Sequence, residues 1–417
     1  MEKGSRIISF DEAYKKYEGA RTFTIMLKPI GSVCNLNCAY CYYLEKKNLY
    51  PTTTNFKLDE QLLEKFTRQY IQEQDVNEIT FVWQGGEPGI LGIDYFKKAL
   101  AFQNKYAGKK IINNVFQTNG TYIDENWCTF FRDHNFLVGI SVDGPEKLHD
   151  YYRKTKSGNP TFHRVMKSIE LMHRYRVEFN TLTVVNKLTS AYPLEVYNFL
   201  KSIGSTFMQF IPIVERKAVA PETLQLVDNT YKKAALVTDW SVEPIKFGKF
   251  LCSIFDEWVK KDVGQHYVQL FDVTLANWIG EPPGLCVFQK NCGMTAVMEH
   301  NGDIYSCDHF VYDKYLLGNT NINSPDELMH SKKHADFSNN KFESLPTYCH
   351  DCEFLFACHG ECPKHRFVET PNGESRLNYL CKSYKMFFRH VTPAMNFMIN
   401  EIHNNRAPAN IMTKFKF

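Results

Sequence analysis

The chain has 417 residues, of which 49 are Lys or Arg and 46 are Asp or Glu, so its formal net charge at pH 7 is +3. This near balance argues against nucleic acid or an acidic membrane surface as a partner, and no run of 18 apolar residues or apolar N-terminal segment predicts a membrane span or a secretory signal. We therefore expect a globular cytoplasmic protein with no nucleic-acid or membrane partner.

Short β-rich runs alternate with amphipathic helical stretches over the first half of the chain. The helical stretches include 58–74 and 161–176. Repeated strand–helix units predict a parallel sheet of the α/β class, and a partial or full barrel of the TIM type fits them. With six strands, we expect a partial (β/α)6 barrel. The six predicted strands are 22–29, 78–83, 112–116, 136–142, 178–185 and 206–212.

Four distinctive loops directly follow the first four predicted strands. A cysteine-containing loop follows the first strand, QGGEP (84–88) the second, QTNG (117–120) the third and DGPEKLHD (143–150) the fourth. In a parallel barrel the carboxyl ends of the strands share one rim, and active sites are built from the loops on that rim. The four loops are therefore predicted to converge on one site.

The loop after the first strand reads GSVCNLNCAYCYY and contains Cys34, Cys38 and Cys41. A structural zinc site takes four protein ligands, and so does an ordinary iron–sulfur cluster. Three thiolates leave one metal position free for a molecule that is not protein. This loop therefore predicts a catalytic metal centre at the barrel rim.

The rest of the chain is predicted to divide into two further regions. Residues 216–285, with a predicted helix at 247–261, connect the barrel (20–215) to a cysteine-rich domain (286–390). Thirteen cysteines in a chain without an export signal should stay reduced, which favours metal binding over disulfides. Eight of them could fill two four-ligand sites in the last region: Cys286, Cys292, Cys307, Cys349, Cys352, Cys358, Cys362 and Cys381.

Two cysteines remain outside these sets, and the metal of the C-terminal sites is left open by spacing alone. Cys128 and Cys252 lie inside helical patterns and are predicted to be buried structural thiols. Pairs such as Cys349 and Cys352 are common zinc ligands, so a pair of zinc sites is the alternative. The three-cysteine loop favours iron–sulfur clusters, because zinc would not explain its open position.

These motifs together resemble a known family. The C-x3-C-x2-C loop, the spacing of Cys292, Gly302 and Cys307, and the run of cysteines from Cys349 to Cys362 are similar to those of radical S-adenosylmethionine enzymes with a C-terminal SPASM-type domain. Within that superfamily the chain most resembles the anaerobic sulfatase-maturating enzymes. The stretches that carry this resemblance are MLKPIGSVCNLNCAYCYYLE, VWQGGEPGILG, QTNGTYID, SVDGPEKLHDYYR, QFIPIVE and CGMTAVMEHNGDIYSCDHF.

The resemblance implies that S-adenosylmethionine binds a [4Fe–4S] cluster held by Cys34, Cys38 and Cys41. The ammonium of this cofactor needs acceptors and a close backbone approach, and its carboxylate needs a cation. The implied contacts are the Gly85 and Gly86 backbone and the Glu87 carboxylate for the ammonium, Arg153 for the carboxylate, Ser141 for the ribose, Tyr40 near the adenine and the Val214 backbone.

The implied reaction is oxidation of a Cys or Ser side chain in a sulfatase Cys/Ser-x-Pro-x-Arg motif to Cα-formylglycine by a 5′-deoxyadenosyl radical. Once hydrogen has left Cβ, the reaction needs a base and an electron acceptor. Asp308 matches the family's proton acceptor, and His309 is the competing base. Tyr43 and Gln117 align with positions near the target residue, so we expect them to contact substrate.

Two auxiliary clusters are implied in the C-terminal domain, which gives three [4Fe–4S] clusters in all. The implied partners are an unfolded or nascent sulfatase polypeptide and an electron donor such as flavodoxin or ferredoxin. The resemblance assigns Cys286, Cys292, Cys307 and Cys362 to the cluster nearer the substrate, and Cys349, Cys352, Cys358 and Cys381 to the outer cluster.

Two other functions are compatible with parts of this pattern. A maturase that builds a cross-link in a ribosomal peptide would use the same radical chemistry, but such enzymes often carry a leader-binding domain before the barrel. Here about 20 residues precede the first predicted strand. A zinc-bearing binding protein would use the C-terminal cysteines without any cleavage of S-adenosylmethionine.

Overall fold

The computed structural model of the chain describes residues 21–219, 224–231 and 233–415. All six predicted strands form, each within two residues of its predicted bounds. They are β1 (Thr24–Leu27), β2 (Glu78–Trp83), β3 (Ile111–Thr118), β4 (Phe136–Ser141), β5 (Phe179–Val185) and β6 (Phe207–Pro212). The other strands are β7 (Arg216–Ala218), β8 (Ala235–Val237), β9 (Tyr267–Val268), β10 (Thr295–Met298), β11 (Asp303–Tyr305), β12 (Leu316–Asn319), β13 (Arg366–Val368) and β14 (Leu377–Asn378).

The six predicted strands lie side by side in chain order and are parallel, so the predicted α/β partial barrel is confirmed. The sheet continues beyond them at both edges. At one edge β10 pairs in parallel with β1 and leads into antiparallel β11 and β12, and at the other edge β9 pairs in parallel with β6. The cysteine-rich region therefore begins as an extension of the barrel sheet, next to the strand that carries the cysteine loop.

Helices cover the outside of the sheet, and their apolar faces are buried against it. The predicted helix at 58–74 begins after Asp59, whose carboxylate accepts the amide hydrogens of Gln61 and Leu62. The helices are α1 (Glu60–Gln72), α2 (Ile93–Tyr106), α3 (Glu125–Asp133), α4 (Glu146–Tyr152), α5 (Phe162–Tyr175), α6 (Pro193–Ser202), α7 (Pro244–Lys261), α8 (Gln269–Trp278), α9 (Pro325–Met329), α10 (Lys332–Glu343), α11 (Thr347–His350), α12 (Leu355–Cys358) and α13 (Cys381–His403).

Residues 216–285, predicted from the sequence to be a connection, contribute to the main hydrophobic core. Helix α7, predicted at 247–261, buries Phe250, Ile254 and Trp258 against the barrel and against α13. The predicted structural thiols lie within helices as expected: Cys128 in α3 is fully buried and Cys252 in α7 is half-buried. Among the residues that the structure describes, no helix is both long and apolar enough to cross a membrane.

Candidate active site

The cysteine loop (34–41) is fixed by hydrogen bonds from two neighbouring rim loops. The backbone amide of Asn37 donates to the carbonyl of Lys154 at 2.8 Å, in the segment that follows α4. On the other side the Asn35 amide donates to the hydroxyl of Thr121 at 2.8 Å, next to the QTNG turn. The loop is thus positioned by the third and fourth rim loops, as their convergence predicts.

The QGGEP loop lies directly against the cysteine loop. The amide of Gly86 donates to the carbonyl of Gly31 at 2.8 Å, and that of Glu87 donates to the carbonyl of Val33 at 2.9 Å. A Cβ at Gly86 would lie 1.9 Å from the Val33 oxygen, so only glycine fits. Because an ammonium only donates hydrogen bonds, the backbone groups that Gly85 and Gly86 can offer it are their carbonyl oxygens.

The Glu87 carboxylate is fully buried and joins the second rim loop to the third. It accepts hydrogen bonds from the Thr118 hydroxyl (2.8 Å) and from the backbone amides of Asn119 (2.7 Å) and Gly89 (2.9 Å). Burial raises the pKa of Glu87 to about 7, against the effect of these donors. The side chain therefore holds the rim together, and its contact with a cofactor ammonium stays a prediction.

Arg153 and Tyr40 meet at Asp143, a buried carboxylate. The Nε of Arg153 donates to Asp143 at 3.0 Å, the Tyr40 hydroxyl donates to the same oxygen, and the guanidinium lies 5.6 Å from the centre of the Tyr40 ring. Burial lowers the pKa of Arg153, but the charge of Asp143 outweighs burial and raises it. A permanently charged guanidinium is thus placed next to the cysteine loop, as a partner for a carboxylate requires.

Gln117 and Ser141 lie at the ends of adjacent strands β3 and β4. The Gln117 amide donates to the Ser141 hydroxyl at 3.4 Å. The predicted substrate contact and the predicted ribose contact are therefore neighbours on the rim. Val214 is buried just after β6. The backbone amide of the preceding residue, Ile213, donates to the carbonyl of Val185 at the end of β5.

Asp308 lies in a short 3₁₀ turn, Asp308–Phe310, immediately after Cys307. Its carboxylate accepts a hydrogen bond from the Tyr42 hydroxyl at 3.0 Å and lies 4.0 Å from the ammonium of Lys28. The side chain is 20% exposed. Burial raises the pKa of Asp308, but His309, Lys28 and Tyr42 together lower it to about 2. The carboxylate is therefore ionised.

His309 is brought to the same place as Asp308. Ligand atoms of Cys307, Asp308 and His309 all lie within 4.8 Å of one another, and the imidazole centre is 5.3 Å from that of the Tyr42 ring. Burial lowers the pKa of His309 to about 4, so the imidazole is neutral at pH 7. At neutral pH the groups that favour ionised Asp308 are consequently Lys28 and Tyr42.

Tyr43 is buried in the structure, and its predicted contact with substrate stays a prediction. It is 4% exposed, its hydroxyl donates to Glu299, and its ring lies 4.3 Å from the Lys28 ammonium. It packs in a small cluster with Val297 and Tyr305. The tyrosine that contacts Asp308 is the preceding residue, Tyr42, which the sequence does not single out.

Four C-terminal cysteines lie together next to Asp308. Burial raises the pKa of the Cys307 thiol well above its ordinary value, and Asp308, Cys362 and Cys286 raise it further. Burial also raises the pKa of Cys362, and the charges of Glu361, Cys292 and Cys286 raise it further. These four are the residues assigned above to the cluster nearer the substrate; we call them the inner set.

The other four cysteines, which we call the outer set, line one cavity with an empty volume of about 340 Å³. Burial raises the pKa of the Cys349 thiol to about 11, and neighbouring Cys381 and Cys352 add to this increase. Apolar side chains such as Phe354 and Phe388 complete the wall. The outer set consists of Cys349, Cys352, Cys358 and Cys381.

The spread of the cysteines distinguishes between the two metals considered. Tetrahedral zinc with Zn–S bonds of about 2.3 Å places its sulfurs about 3.8 Å apart. Among residues 21–219, 224–231 and 233–415, no three cysteine sulfurs all lie within 4.8 Å of one another. Tetrahedral zinc needs sulfurs closer together than this, and the all-thiolate donors are those that iron–sulfur clusters take.

Sequence reasoning missed three side chains that organise the site: Asp143, Lys28 and Tyr42. Each lies in a motif that carries the resemblance, Asp143 in DGPEKLHD, Lys28 in MLKP and Tyr42 after Cys41. Asp143 is the shared acceptor for two predicted cofactor contacts, and Lys28 is a fully buried cation that donates to Gln84. For Asp143 and Lys28 the available signal was a charged residue at the end of a predicted apolar strand, and for Tyr42 the sequence offered no such signal.

Two family models match the chain. The radical SAM superfamily matches residues 29–200, and an iron–sulfur cluster-binding domain, SPASM, matches residues 286–353. The first range includes the cysteine loop and the other three rim loops. The second includes Cys286, Cys292 and Cys307 of the inner set and two cysteines of the outer set.

Similar proteins extend the match to nearly the whole chain. A serine-type anaerobic sulfatase-maturating enzyme of Bacteroides thetaiotaomicron is 50% identical over 95% of this chain and 96% of its own. A cysteine-type anaerobic sulfatase-maturating enzyme of Clostridium novyi is 33% identical over 88% of this chain and 95% of its own. The solved structure of native anSMEcpe with bound AdoMet and Cp18Cys peptide has a TM-score of 0.79 and 32% identity, covering 91% of this chain and 99% of that chain.

Proposed function

This chain belongs to the family of anaerobic sulfatase-maturating enzymes, and from that membership we propose how its own residues carry out the family's reaction and which target residue it prefers. The reaction converts a Cys or Ser side chain of a sulfatase polypeptide into formylglycine. Membership over 95% of the chain argues against a peptide cross-linking maturase, and the spread of the cysteine sulfurs argues against a zinc protein.

The observation that carries the proposal is a contact between the two cysteine systems. Tyr42 directly follows Cys41 of the rim loop, and its hydroxyl donates to Asp308, which directly follows Cys307 of the inner set. A base and the thiolates of an electron acceptor are thus held beside the loop where the radical is generated. Oxidation of a substrate between them needs these two groups after hydrogen has left Cβ.

The residues on the barrel side bind and orient the cofactor. When bound, S-adenosylmethionine on the cluster of Cys34, Cys38 and Cys41 supplies the radical that takes hydrogen from Cβ. The carbonyls of the QGGEP loop would accept from its ammonium, and charged Arg153, held by Asp143, would pair with its carboxylate. Rim loops that are bonded to one another keep this geometry fixed and exclude water.

Asp308 takes the proton that the substrate must lose. A cluster held by the inner set would supply an acceptor for the electron that the substrate must lose, and the proton of the substrate hydroxyl or thiol passes to the Asp308 carboxylate. For serine the product is the aldehyde, and for cysteine it is a thioaldehyde that water hydrolyses to the aldehyde with release of hydrogen sulfide. Asp308 is suited to this because it is ionised and partly exposed, while Lys28 and Tyr42 fix its position.

Serine is the preferred target residue. The family members at 50% and 36% identity are serine-type enzymes, while those at 31–33% are cysteine-type enzymes. The two target residues differ by one atom, so a preference rests on the exact position of the base and of the rim side chains. Both types of peptide are expected to enter the site, with serine turned over faster.

The remaining assignments follow from the same reaction. Eleven cysteines in sets of three, four and four hold three [4Fe–4S] clusters, and a small donor such as flavodoxin or ferredoxin supplies electrons to the first. Because so many free thiols require a reducing environment, the cytoplasm is the expected location. We also propose that the barrel spans 20–215, the connecting region 216–285 and the SPASM domain 286–390.

One anaerobic assay tests the function. Reconstituted, reduced enzyme is incubated with S-adenosylmethionine and matched peptides that contain Ser-x-Pro-x-Arg or Cys-x-Pro-x-Arg, and products are read by mass spectrometry. We expect formylglycine from both peptides, with the serine peptide faster, and 5′-deoxyadenosine in equal amount. Formation of a cross-linked peptide without aldehyde would contradict the function, and faster turnover of the cysteine peptide would contradict the serine preference.

A further inference from the structure

The two auxiliary cysteine sets are joined by a bridge of only three residues, 359–361, between Cys358 of the outer set and Cys362 of the inner set. All three have positive φ: 45° at His359, 71° at Gly360 and 50° at Glu361. Such a run is costly for residues with a side chain, because Cβ approaches the following carbonyl. The bridge therefore needs a partner that stabilises this backbone conformation.

Arg366 is that partner. It is 3% exposed, and its guanidinium donates to all three carbonyls of the bridge, with Nε bonding Gly360 at 2.8 Å and Nη2 bonding His359 at 2.9 Å and Glu361 at 2.8 Å. A Cβ at Gly360 would lie 2.8 Å from the guanidinium nitrogen, so glycine permits this close approach. The planar fork of arginine suits three acceptors in a row.

The remaining guanidinium nitrogen links Arg366 to a second buried cation. Nη1 donates to the backbone carbonyl of Lys341, near the end of α10. The Lys341 ammonium in turn donates to the carbonyls of Cys286, Val287 and Gln289, which form the loop around a ligand of the inner set. Through these two side chains the bridge is tied to the segment that begins the inner set.

The charge of Arg366 is available to both cysteine sets. Its hydrogen bonds go to neutral carbonyl oxygens, while the Glu361 carboxylate is used by His365 and Asn378. Burial lowers the pKa of Arg366, and the charges of Cys362 in the inner set and of Cys358 and Cys349 in the outer set act in the opposite direction, as does that of Glu361. An arginine stays protonated at any pH at which the protein is folded.

We infer that Arg366 is a positioning residue shared by the two auxiliary clusters: its fork fixes the bridge between their ligands, and its buried charge stabilises the electron that the clusters accept from the substrate. A cluster with four thiolates is anionic and becomes more so on reduction, so a fixed neighbouring cation raises its reduction potential. This inference rests on the proposed function for the source of the electron. The predicted effect on potential does not depend on any sulfatase substrate.

The test measures the reduction potentials of the two auxiliary clusters in protein that lacks the rim cysteines, so that a cluster on the rim loop does not contribute to the signal. Arg366→Gln and Arg366→Lys are made in full-length protein that also carries Cys34→Ala, Cys38→Ala and Cys41→Ala. Iron content and EPR-monitored redox titration are compared with the parent. We expect Arg366→Gln to shift both midpoint potentials to more negative values and Arg366→Lys to stay close to the parent. Arg132→Gln removes the same charge from an exposed site on α3 and serves as the control.

Each outcome decides the assignment. Full iron loading of Arg366→Gln with both potentials unchanged overturns it, as does an equal shift in the Arg132→Gln control. If Arg366→Gln fails to hold iron, Arg366→Lys decides: full loading with parental potentials supports a required cation, and loss of iron there too overturns the charge role. Formylglycine formation is assayed separately, in the parent enzyme with its three rim cysteines intact. Failure of that enzyme to form formylglycine, together with shifted potentials in Arg366→Gln, would count against the proposed function alone.

Discussion

The cysteine loop on the barrel rim and the two C-terminal sets are held by different means. The rim loop is one short segment, and neutral hydrogen bonds from backbone and side-chain amides fix it between its neighbours. The inner and outer sets draw ligands from segments up to 76 positions apart in sequence, from Cys286 to Cys362, and buried cations join those segments. The three cysteines of the rim loop would leave one metal position free for the cofactor. The two sets of four would bring more negative charge into a buried place, and nearby cations offset that charge.

The largest effect should come from removing the rim cysteines. Replacing Cys34, Cys38 and Cys41 by alanine should abolish cleavage of S-adenosylmethionine and leave roughly eight of about 12 irons per chain. The reason is that the three sets are held independently, so loss of one should spare the others. Iron and sulfide analysis of reconstituted protein and an assay for 5′-deoxyadenosine check both statements.

The complementary variant removes an outer pair, Cys349→Ala and Cys352→Ala. It should also retain roughly eight irons but still cleave the cofactor, because the rim loop is untouched. Cys128→Ala, a buried thiol outside all three sets, is the matched control and should keep the full iron content. If either set's removal empties the whole protein of iron, the independence of the two regions is wrong.

The next largest effect should come from Asp308, where the two regions meet. Asp308→Asn keeps the shape and the acceptor for Tyr42 but removes the base, so formylglycine formation should fall by roughly 10²–10⁴-fold. Cofactor cleavage without product should persist. Peptide product and 5′-deoxyadenosine are measured in the same reaction to separate the two.

His309→Gln is the matched control for this prediction, since His309 is the other candidate base in the same turn. It should retain most product formation. Near-normal turnover by Asp308→Asn together with loss in His309→Gln would transfer the role of base to the histidine.

Whether the sequence could predict a feature of this site depends on how far apart in sequence the contacting residues are. The six strands and their rim loops repeat a local pattern, and Gly86 and the three rim cysteines lie in short motifs, so all were predicted in place. Pairing of β10 with β1 was not predicted, because it joins strands more than 260 residues apart and has no local signal. Asp143 and Lys28 were missed for the same reason, because the role of each depends on partners in other loops.

The interleaving of the auxiliary ligands shows the same limit. Spacing gives eight cysteines and the C-x2-C pair, but it does not show that Cys362 lies with Cys286 while Cys358 lies with Cys381. That division came from the family resemblance. The three positive-φ residues between Cys358 and Cys362 explain how the chain turns from one set to the other within four positions.

A smaller effect is expected where the rim loops touch each other. Gly86→Ala would place a Cβ 1.9 Å from the Val33 carbonyl, so the QGGEP loop must move away from the cysteine loop. Overpacking of this kind costs about 1–3 kcal/mol, which should weaken cofactor binding by roughly 5–150-fold. Binding of S-adenosylmethionine to the reconstituted enzyme, by equilibrium dialysis, gives the dissociation constant.

Gly284→Ala is the control for that substitution, because a Cβ there meets no heavy atom within 4 Å. It should bind the cofactor as tightly as the parent. Equal binding by both alanine variants would show that the two rim loops can separate without cost, contrary to the close packing described above.

The smallest predicted effect distinguishes the two adjacent tyrosines at the junction of the regions. Tyr42→Phe removes the hydroxyl that donates to Asp308, and a hydrogen bond to a charged group is worth about 1.5–3 kcal/mol, so product formation should fall by roughly tenfold or more. Tyr43→Phe removes a hydroxyl that donates to buried Glu299 in a small apolar cluster, so it should lower the melting temperature and leave the ratio of formylglycine to 5′-deoxyadenosine unchanged. Each variant lacks one phenolic oxygen, at Tyr42 or at Tyr43, so each is the control for the other.

Measuring the ratio of formylglycine to 5′-deoxyadenosine and the melting temperature for both variants decides between the two positions. If Tyr43→Phe uncouples cofactor cleavage from product formation while Tyr42→Phe does not, the substrate contact predicted for Tyr43 is correct and the contact of Tyr42 with Asp308 has no part in the reaction.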